Sequence, residues 1–260
     1  MCFFLVMVVG IVPFAAAGGG KGTYRLAGIM FGYGLGLVFV FYLAKARFDT
    51  TRAGAVGPWR SLPRIGPWLA VTTLGLTSCG FALGVLLYLY VPGCQVLPPE
   101  EPGGWMSVMV AALAAPLVEE LLFRGVMLRT MLVSYRPAFA ISLSAILFAV
   151  VHVYPMKFPH ILLHGLLWGW CYWKTRSIWP GVLGHMTNNV SGAQFDPPKQ
   201  LGDLPIAAML MLGSVVAVIG IWHLRPLLEA EAFETDVLVG VAIAGFVEDA
   251  DLVVTQGQHG

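Results

Sequence analysis

Long apolar runs dominate the chain, and short polar joins rich in Pro and Gly separate them. About eight of these runs predict membrane-spanning helices, although the first, fifth, sixth and seventh are shorter than the roughly 20 residues that a helix needs to cross a bilayer. Short spans suit helices enclosed by others or a locally thinned bilayer. The approximate limits of the eight runs are 2–18, 24–44, 65–91, 105–133, 138–153, 158–173, 178–194 and 204–222. The pattern therefore predicts an all-α, polytopic membrane protein in which residues 1–222 form a single helical membrane domain.

The pattern changes after His223, where acidic residues become frequent. This last part of the chain holds half of its 14 acidic residues, namely Glu229, Glu231, Glu234, Asp236, Glu248, Asp249 and Asp251. Its apolar stretch, residues 237–247, is too short to cross a bilayer. We therefore expect residues 223–260 to form an acidic tail that is solvated or lies on the membrane surface.

The distribution of Lys and Arg predicts the orientation in the membrane. The loop between the second and third runs carries Lys45, Arg47, Arg52, Arg60 and Arg64. The next loop has no Lys or Arg but contains Glu100 and Glu101. Because cytoplasmic loops are enriched in Lys and Arg, the loop between the second and third runs is predicted to be cytoplasmic. Two runs precede this loop and about six follow it, so both termini are also predicted to be cytoplasmic.

Composition narrows the class of protein further. The chain is 58% hydrophobic and 11% charged, whereas roughly a quarter of the residues in soluble domains are charged. The net charge of +1 gives no indication of nucleic-acid binding. The four cysteines form no CxxC pair and no zinc-ligand spacing. We expect an integral protein of a prokaryotic plasma membrane, with the lipid bilayer as its surroundings.

Three ionisable residues interrupt the fourth apolar run. A charge at mid-bilayer costs at least about 2.5–3.5 kcal/mol, so Glu119, Glu120 and Arg124 need partners or a hydrated cavity. Glu120 and Arg124 are four residues apart and can form an ion pair on one helix face. Glu119 is rotated by about 100° from Glu120, so we expect it to face a cavity that a kink at Pro116 would help to open. The alternative is a purely structural polar clamp between helices.

Later runs carry polar residues that complement Glu119. His152 ends the fifth run, and His185 and Asn189 lie four residues apart on one face of the seventh. Peptide hydrolysis needs a base that activates water and donors for the oxyanion that forms. A carboxylate and a histidine can hold the water, while a second histidine and an amide can donate to the oxyanion.

Other polar residues in the runs are predicted to have structural roles. His160 and His164 are four residues apart in the sixth run. Lone histidines in membrane helices commonly hydrogen-bond to neighbouring helices, which is the role expected for both. Asn188 points about 100° away from Asn189 and is the less suitable of the two amides.

Three motifs occur in order: EExxxR as "EELLFR" from Glu119, FxxxH as "FAVVH" ending at His152, and HxxxN as "HMTNN" from His185. Together they resemble the CPBP family, which comprises CAAX proteases and bacteriocin-processing or immunity proteins and includes the type II CAAX-processing endopeptidases. The similarity covers about residues 105–191. It implies an eight-helix membrane core and a glutamate-dependent intramembrane endopeptidase.

The resemblance also implies a role for each motif residue. Glu119 and His152 match the pair that activates water, and His185 and Asn189 match the pair that stabilises the oxyanion. Glu120 and Arg124 match the remaining motif positions, and helical geometry suggests that they support the site.

Members of the family were long described as metalloproteases, and Glu119, His152 and His185 could hold a metal ion. HExxH is absent, however, and the set can act without a metal, so neither a metal nor another cofactor is expected. The expected partner is a membrane-associated protein or peptide substrate. A CAAX-type role requires prenylated substrates and fits a cytoplasmic opening of the site. An external opening fits a peptide, a sorting tail or a regulator.

Other functions remain possible on the same residues. The first is a non-enzymatic membrane immunity or scaffold protein, in which the polar set is a structural network. A proton-coupled transporter could use intramembrane Glu and His residues, but the chain shows no repeat symmetry. A rhomboid-like serine protease is disfavoured because Ser191 and Gly192 follow the HxxxN motif without any GxSG sequence.

Overall fold

The computed structural model describes residues 57–94, 109–152, 154–192 and 203–256. The predicted runs 2–18 and 24–44 lie outside the described residues. Within the described residues the chain is helical and contains no β-strand, which confirms the all-α class.

Six helices, here numbered α1 to α6, coincide with the six predicted runs from residue 65 onward. They are α1 (Leu62–Tyr90), α2 (residues 110–134), α3 (Pro137–Val150), α4 (Phe158–Thr175), α5 (Trp179–Gly192) and α6 (Asp203–Gln256). A single 3₁₀ turn, Pro155–Lys157, precedes α4. Prolines stand in the first turn of α1, α3 and α4, where a missing N–H costs nothing.

Helix α2 is continuous but not uniform. It consists of the π-helical Val110–Ala114, the α-helical Ala115–Glu120, the π-helical Leu121–Leu128 and the α-helical Arg129–Ser134. Wider π turns interrupt the regular 3.6-residue period and are frequent at functional sites. The three ionisable residues of the fourth run lie at the junction between the central α-helical and π-helical parts.

Two described helices are long and apolar enough to cross a membrane by length and composition, Leu62–Tyr90 and Pro205–Ala232. Helices α3 and α5 have 14 residues each, which corresponds to about 21 Å at 1.5 Å per residue. That length is less than the hydrocarbon thickness of about 30 Å. The expectation of about eight membrane spans therefore stays a prediction.

The last helix extends far beyond the predicted final run. Helix α6 continues through Pro226 and ends at Gln256, so the acidic segment from residue 223 is helical through most of its length. The predicted boundary between residues 222 and 223 falls inside this helix, and the division into a membrane domain and a tail stays a prediction.

Small residues hold α1 and α6 in close antiparallel contact. A Cβ atom on Gly75 would collide with the backbone of Ala217, and one on Gly220 would collide with Thr72. The Ser78 hydroxyl donates a 3.0 Å hydrogen bond to the carbonyl of Met209. Close backbone approach through small residues is a usual mode of helix association in membranes.

Helix α4 lies at the centre of the core that surrounds the polar residues. Trp168 on α4 is fully buried and packs with Phe148 of α3 and His185 of α5. Helices α3 and α4 are antiparallel, with Gly165 against Ala145 and Gly169 against Ile141. This arrangement brings the end of α3, the middle of α2 and the second half of α5 to one place.

Candidate active site

Glu120 and Arg124 form the buried ion pair that their spacing predicts. Arg124 Nη1 donates to Glu120 Oε1 at 2.8 Å, and the side chains are 1% and 0% exposed for Arg124 and Glu120, respectively. Arg124 Nη2 also donates to the Gly165 carbonyl at 3.2 Å. The guanidinium carbon lies 4.5 Å from the ring centre of Phe148. The arginine thus joins α2, α3 and α4 through charge, hydrogen bonding and cation–π contact.

Glycines on α5 make room for this pair and its surroundings. A Cβ atom on Gly181 would collide with Glu120 Oε2, and one on Gly184 would collide with Trp168 Nε1. The close approach of α5 to both side chains therefore depends on the absence of a side chain at these two positions. The spacing of the motifs gave no indication of either requirement.

Glu119, adjacent in sequence, has a different environment. Its Oε2 lies 3.7 Å from His152 Nε2 and 3.9 Å from His185 Nε2. Both distances exceed the usual range of a direct hydrogen bond but are within reach of a shared water molecule. The side chains of Glu119 and His152 are 19% and 29% exposed. The structure therefore brings together three of the predicted site residues from three helical elements.

The backbone of α3 determines the tautomer of His152. His152 Nδ1 lies 2.7 Å from the carbonyl of Phe148, and a carbonyl can only accept a hydrogen bond. Nδ1 therefore carries a proton, and Nε2 is the ring nitrogen directed toward Glu119. The ring also contacts Phe148 edge to face, with centroids 4.9 Å apart.

His185 connects the two carboxylates. Its Nδ1 lies 3.3 Å from Glu120 Oε1, while its Nε2 faces Glu119. The ring stacks on Trp168 with centroids 4.7 Å apart and an interplanar angle of 22°. The buried ion pair and the indole thus hold the imidazole in one orientation.

Asn189 follows His185 by one turn of α5 and is half-buried. Its Oδ1 accepts a 3.2 Å hydrogen bond from Asn188 Nδ2, and Asn188 Oδ1 accepts one of 3.1 Å from the Thr77 hydroxyl on α1. In this bond Asn189 Oδ1 is the acceptor, and Nδ2 is the donor group of its amide. Sequence reasoning missed the contribution of Asn188, for which the Asn-Asn doublet was the available signal.

A second polar group lies between α1 and α4. His164 Nδ1 bonds to the carbonyl of His160 at 2.8 Å, and His164 Nε2 lies 3.3 Å from the Thr77 hydroxyl. His164 is therefore an interhelical hydrogen-bond partner, as expected from the sequence. Thr77 links this group to the asparagine pair on α5.

The described residues contain no group of three or more His, Cys, Asp or Glu side chains arranged to hold a metal ion. The predicted site residues are Glu119, His152, His185 and Asn189. Their side chains include a carboxylate, two imidazoles and an amide, which suit proton transfer and oxyanion binding.

Comparison with protein families gives a match for part of the chain. Residues 101–191 match the family model described as type II CAAX prenyl endopeptidase Rce1-like. This region includes all seven motif residues, from Glu119 to Asn189. Neither a curated protein nor a solved structure matches the chain significantly.

Proposed function

We propose that this chain, whose residues 101–191 belong to the Rce1-like family of type II CAAX prenyl endopeptidases, is an intramembrane endopeptidase. The family supports peptidase activity, a membrane location and membrane-associated protein substrates at a general level. One observation supports the assignment to individual residues: His152 Nε2 and His185 Nε2 both lie within 4 Å of Glu119 Oε2.

In the first step, a water molecule lies beside Glu119 Oε2 and His152 Nε2. Both atoms accept hydrogen bonds, because Phe148 holds the proton of the neutral His152 ring on Nδ1. The water then directs a lone pair at the carbonyl carbon of the scissile peptide bond. Glu119 takes a proton from the water as the oxygen–carbon bond forms.

In the second step, His185 and Asn189 stabilise the oxyanion that develops on the carbonyl oxygen. Asn189 donates through Nδ2. His185 Nδ1 faces Glu120, and its Nε2 faces the Glu119 side of the site, from which it contacts the oxyanion. Glu119 then returns its proton to the leaving amine nitrogen, and the carbon–nitrogen bond breaks.

Glu120 and Arg124 have a supporting role in this proposal. They are buried and paired with each other, and they touch the site through His185 rather than through the water position. Their function is to hold α2, α4 and α5 in register and to orient His185. Side chains supply every proton transfer, so neither a metal ion nor another cofactor is needed in the proposed reaction.

The placement in the cell forms part of the same proposal. Residues 1–222 constitute the membrane domain, about eight helices cross the bilayer, residues 223–260 form the acidic tail, and both termini are cytoplasmic. The basic residues that flank the described helices support this orientation.

The decisive experiment compares protein termini in cells that express the wild-type chain or Glu119→Gln. We expect a set of new N- and C-termini that depends on the Glu119 carboxylate. Glu229→Gln makes the same chemical change on an exposed carboxylate and should leave those termini unchanged. If cleavage persists in Glu119→Gln at the wild-type rate, the assignment of the base is wrong. If no termini depend on the protein but its phenotype survives the substitution, a non-enzymatic immunity or scaffold role replaces the proposal.

A further inference from the structure

The helices that hold the site have a well-defined register relative to one another. On α1, Gly80 approaches His160 and Gly84 approaches Met156, while Gly57 lies against the backbone of Arg176. The start of α1 therefore lies beside the end of α4, and the end of α1 lies beside the start of α4.

The bundle consequently has two ends of different charge. We define the basic end as the end at which α1 starts, and the opposite end as the one at which α1 finishes, near Tyr90. The basic residues at the basic end are Arg60, Arg64, Arg129, Arg136, Lys174, Arg176 and Arg225. Among the described residues, the opposite end carries Lys157 as its one Lys or Arg.

Contacts show that the basic residues outside α1 and α4 also lie at the basic end. Leu128 and Ile141 both lie against Gly169 of α4, so Arg129 and Arg136, which lie further toward that end, are level with the last turn of α4. Arg64 pairs with Glu231 at 3.5 Å. In the sequence, the stretch between α1 and α2 contains no Lys or Arg, and the stretch between α5 and α6 contains one, Lys199.

Exposure within the site increases from the basic end toward the opposite end. The buried Arg124 and Glu120 lie on the basic side, and His185 is 6% exposed. Glu119 precedes Glu120 on a helix that runs toward the basic end, and His152 lies beyond the end of α3 at Val150. These two more exposed side chains therefore lie on the side of the opposite end.

We infer that the active site opens at the extracytoplasmic face and acts on a peptide segment presented there in extended form. Cytoplasmic loops are enriched in Lys and Arg, which assigns the basic end to the cytoplasm. The buried Glu120–Arg124 pair closes the site on that side, and access is from the opposite side. The substrate class in this inference rests on the proposed function, whereas the orientation does not.

This orientation disfavours a prenylated C-terminus as the substrate. Prenyl groups are attached to a cysteine near the C-terminus of cytoplasmic proteins, which would present the peptide bond on the cytoplasmic side. A secreted peptide, or a membrane protein with a segment just outside the bilayer, would reach the site directly.

Cysteine labelling tests the orientation with the full-length protein. Cys94 lies partly exposed at the opposite end, and Cys79 and Cys171 are buried. In a Cys2→Ser background, spheroplasts of a bacterial host are treated with a membrane-impermeant maleimide before or after permeabilisation. The matched probe at the basic end is Tyr135→Cys in a Cys2→Ser, Cys94→Ser background, since Tyr135 is exposed. The same background without Tyr135→Cys measures labelling of the buried cysteines.

We expect Cys94 to label equally with and without permeabilisation, and Tyr135→Cys to label only after it. The reverse pattern would overturn the inference, as would equal labelling of both probes in intact spheroplasts. The termini that depend on Glu119 provide the second readout. They should lie in extracytoplasmic segments close to the membrane, and termini confined to cytoplasmic or prenylated segments would overturn the substrate class. If no terminus depends on Glu119, the proposed function fails and the labelling still decides the orientation.

Discussion

The two consecutive carboxylates, Glu119 and Glu120, belong to two regions of the molecule with opposite properties. The sealed region around Glu120 consists of a buried ion pair, aromatic rings and a glycine-lined helix surface. In the open region, Glu119 Oε2 lies 3.7 Å from His152 Nε2 and 3.9 Å from His185 Nε2. The side chains of Glu119 and His152 are partly exposed. A charge in the sealed region is neutralised by a direct ion pair, whereas the Glu119 carboxylate lies near two imidazoles and beyond direct hydrogen-bond distance of both.

The difference follows from one step of about 100° around α2. That step turns Glu120 toward Arg124 and α5 and turns Glu119 toward the end of α3. In the proposed reaction these adjacent carboxylates have different roles. Glu120 stabilises the site, and Glu119 exchanges protons. Substitutions near Glu119 should consequently change mainly the reaction rate, and substitutions near Glu120 should change mainly the stability.

The largest expected effect is on the open side. Glu119→Gln removes the base without changing its shape, and loss of general-base catalysis lowers rates by about 10²–10⁴-fold. The thermal midpoint in detergent should stay near the wild-type value, because the Glu120–Arg124 pair is unchanged. The measurement is initial rate on a peptide that spans an identified cleavage site. A large fall in the thermal midpoint would mean that the two regions are not separable.

The next largest effect is on the sealed side. Arg124→Met leaves the buried Glu120 without its cation, and breaking a buried pair in this way costs about 3–5 kcal/mol. We expect a marked loss of folded protein in detergent, measured by thermal unfolding. The double variant Glu120→Leu, Arg124→Met removes both charges and should recover much of the stability but not the activity, because His185 loses its partner. Unchanged stability in the single variant would contradict the importance of the pair.

A smaller effect is expected at Gly181, the glycine that lets α5 approach Glu120 of α2 closely. Gly181→Ala places a methyl group against Glu120 Oε2, and overpacking of this kind costs about 1–3 kcal/mol. The matched control is Gly66→Ala, whose methyl group would meet only a flexible side-chain atom of Leu183 at 3.3 Å. Thermal unfolding of both variants gives the comparison, and equal midpoints would argue against close contact at Gly181.

A more modest effect is expected at Asn188, which donates a hydrogen bond to Asn189. Asn188→Ala removes the donor to Asn189 Oδ1, and loss of one hydrogen bond of about 1.4 kcal/mol corresponds to a rate about 10-fold lower. The decrease should be in kcat with little change in KM, since Asn188 is proposed to orient an oxyanion donor. A change confined to KM or to stability would show that Asn188 has only a packing role.

The smallest effect is expected for an ion pair with the same spacing as Glu120–Arg124 but at the surface. Arg225 donates to Glu229 at 2.9 Å, with side chains 70% and 51% exposed. Exposed pairs contribute about 0.2–1 kcal/mol, so Arg225→Met should barely change the thermal midpoint. A loss as large as that of Arg124→Met would show that burial is not what distinguishes the two pairs.

Much of the fold follows from local patterns. Each predicted run from residue 65 onward coincides with a helix because apolar residues and N-terminal prolines determine where helices form. The helical continuation of α6 through Pro226 was not predicted, since charge suggested a break there. The π-helical part of α2 was also not predicted, because a change of helical period leaves no composition signal.

The candidate site likewise has features that local sequence patterns predict and features that they do not. The Glu120–Arg124 pair is a consequence of spacing within one helix, and it could be predicted from residues alone. The network from Thr77 through Asn188 to Asn189 joins helices distant in sequence. No local pattern relates Thr77 to Asn188, so only packing of α1 against α5 could bring them together.

By itself the sequence determined the helical class, the apolar runs, the match of residues 101–191 to a family model and the chemical types available for the site. These properties depend on composition and on spacing within single helices. The tertiary structure decided which carboxylate is sealed, which histidine atoms face Glu119 and toward which end of the bundle the site opens. Those properties depend on the relative rotation and register of separate helices, which result from packing between residues far apart in the chain.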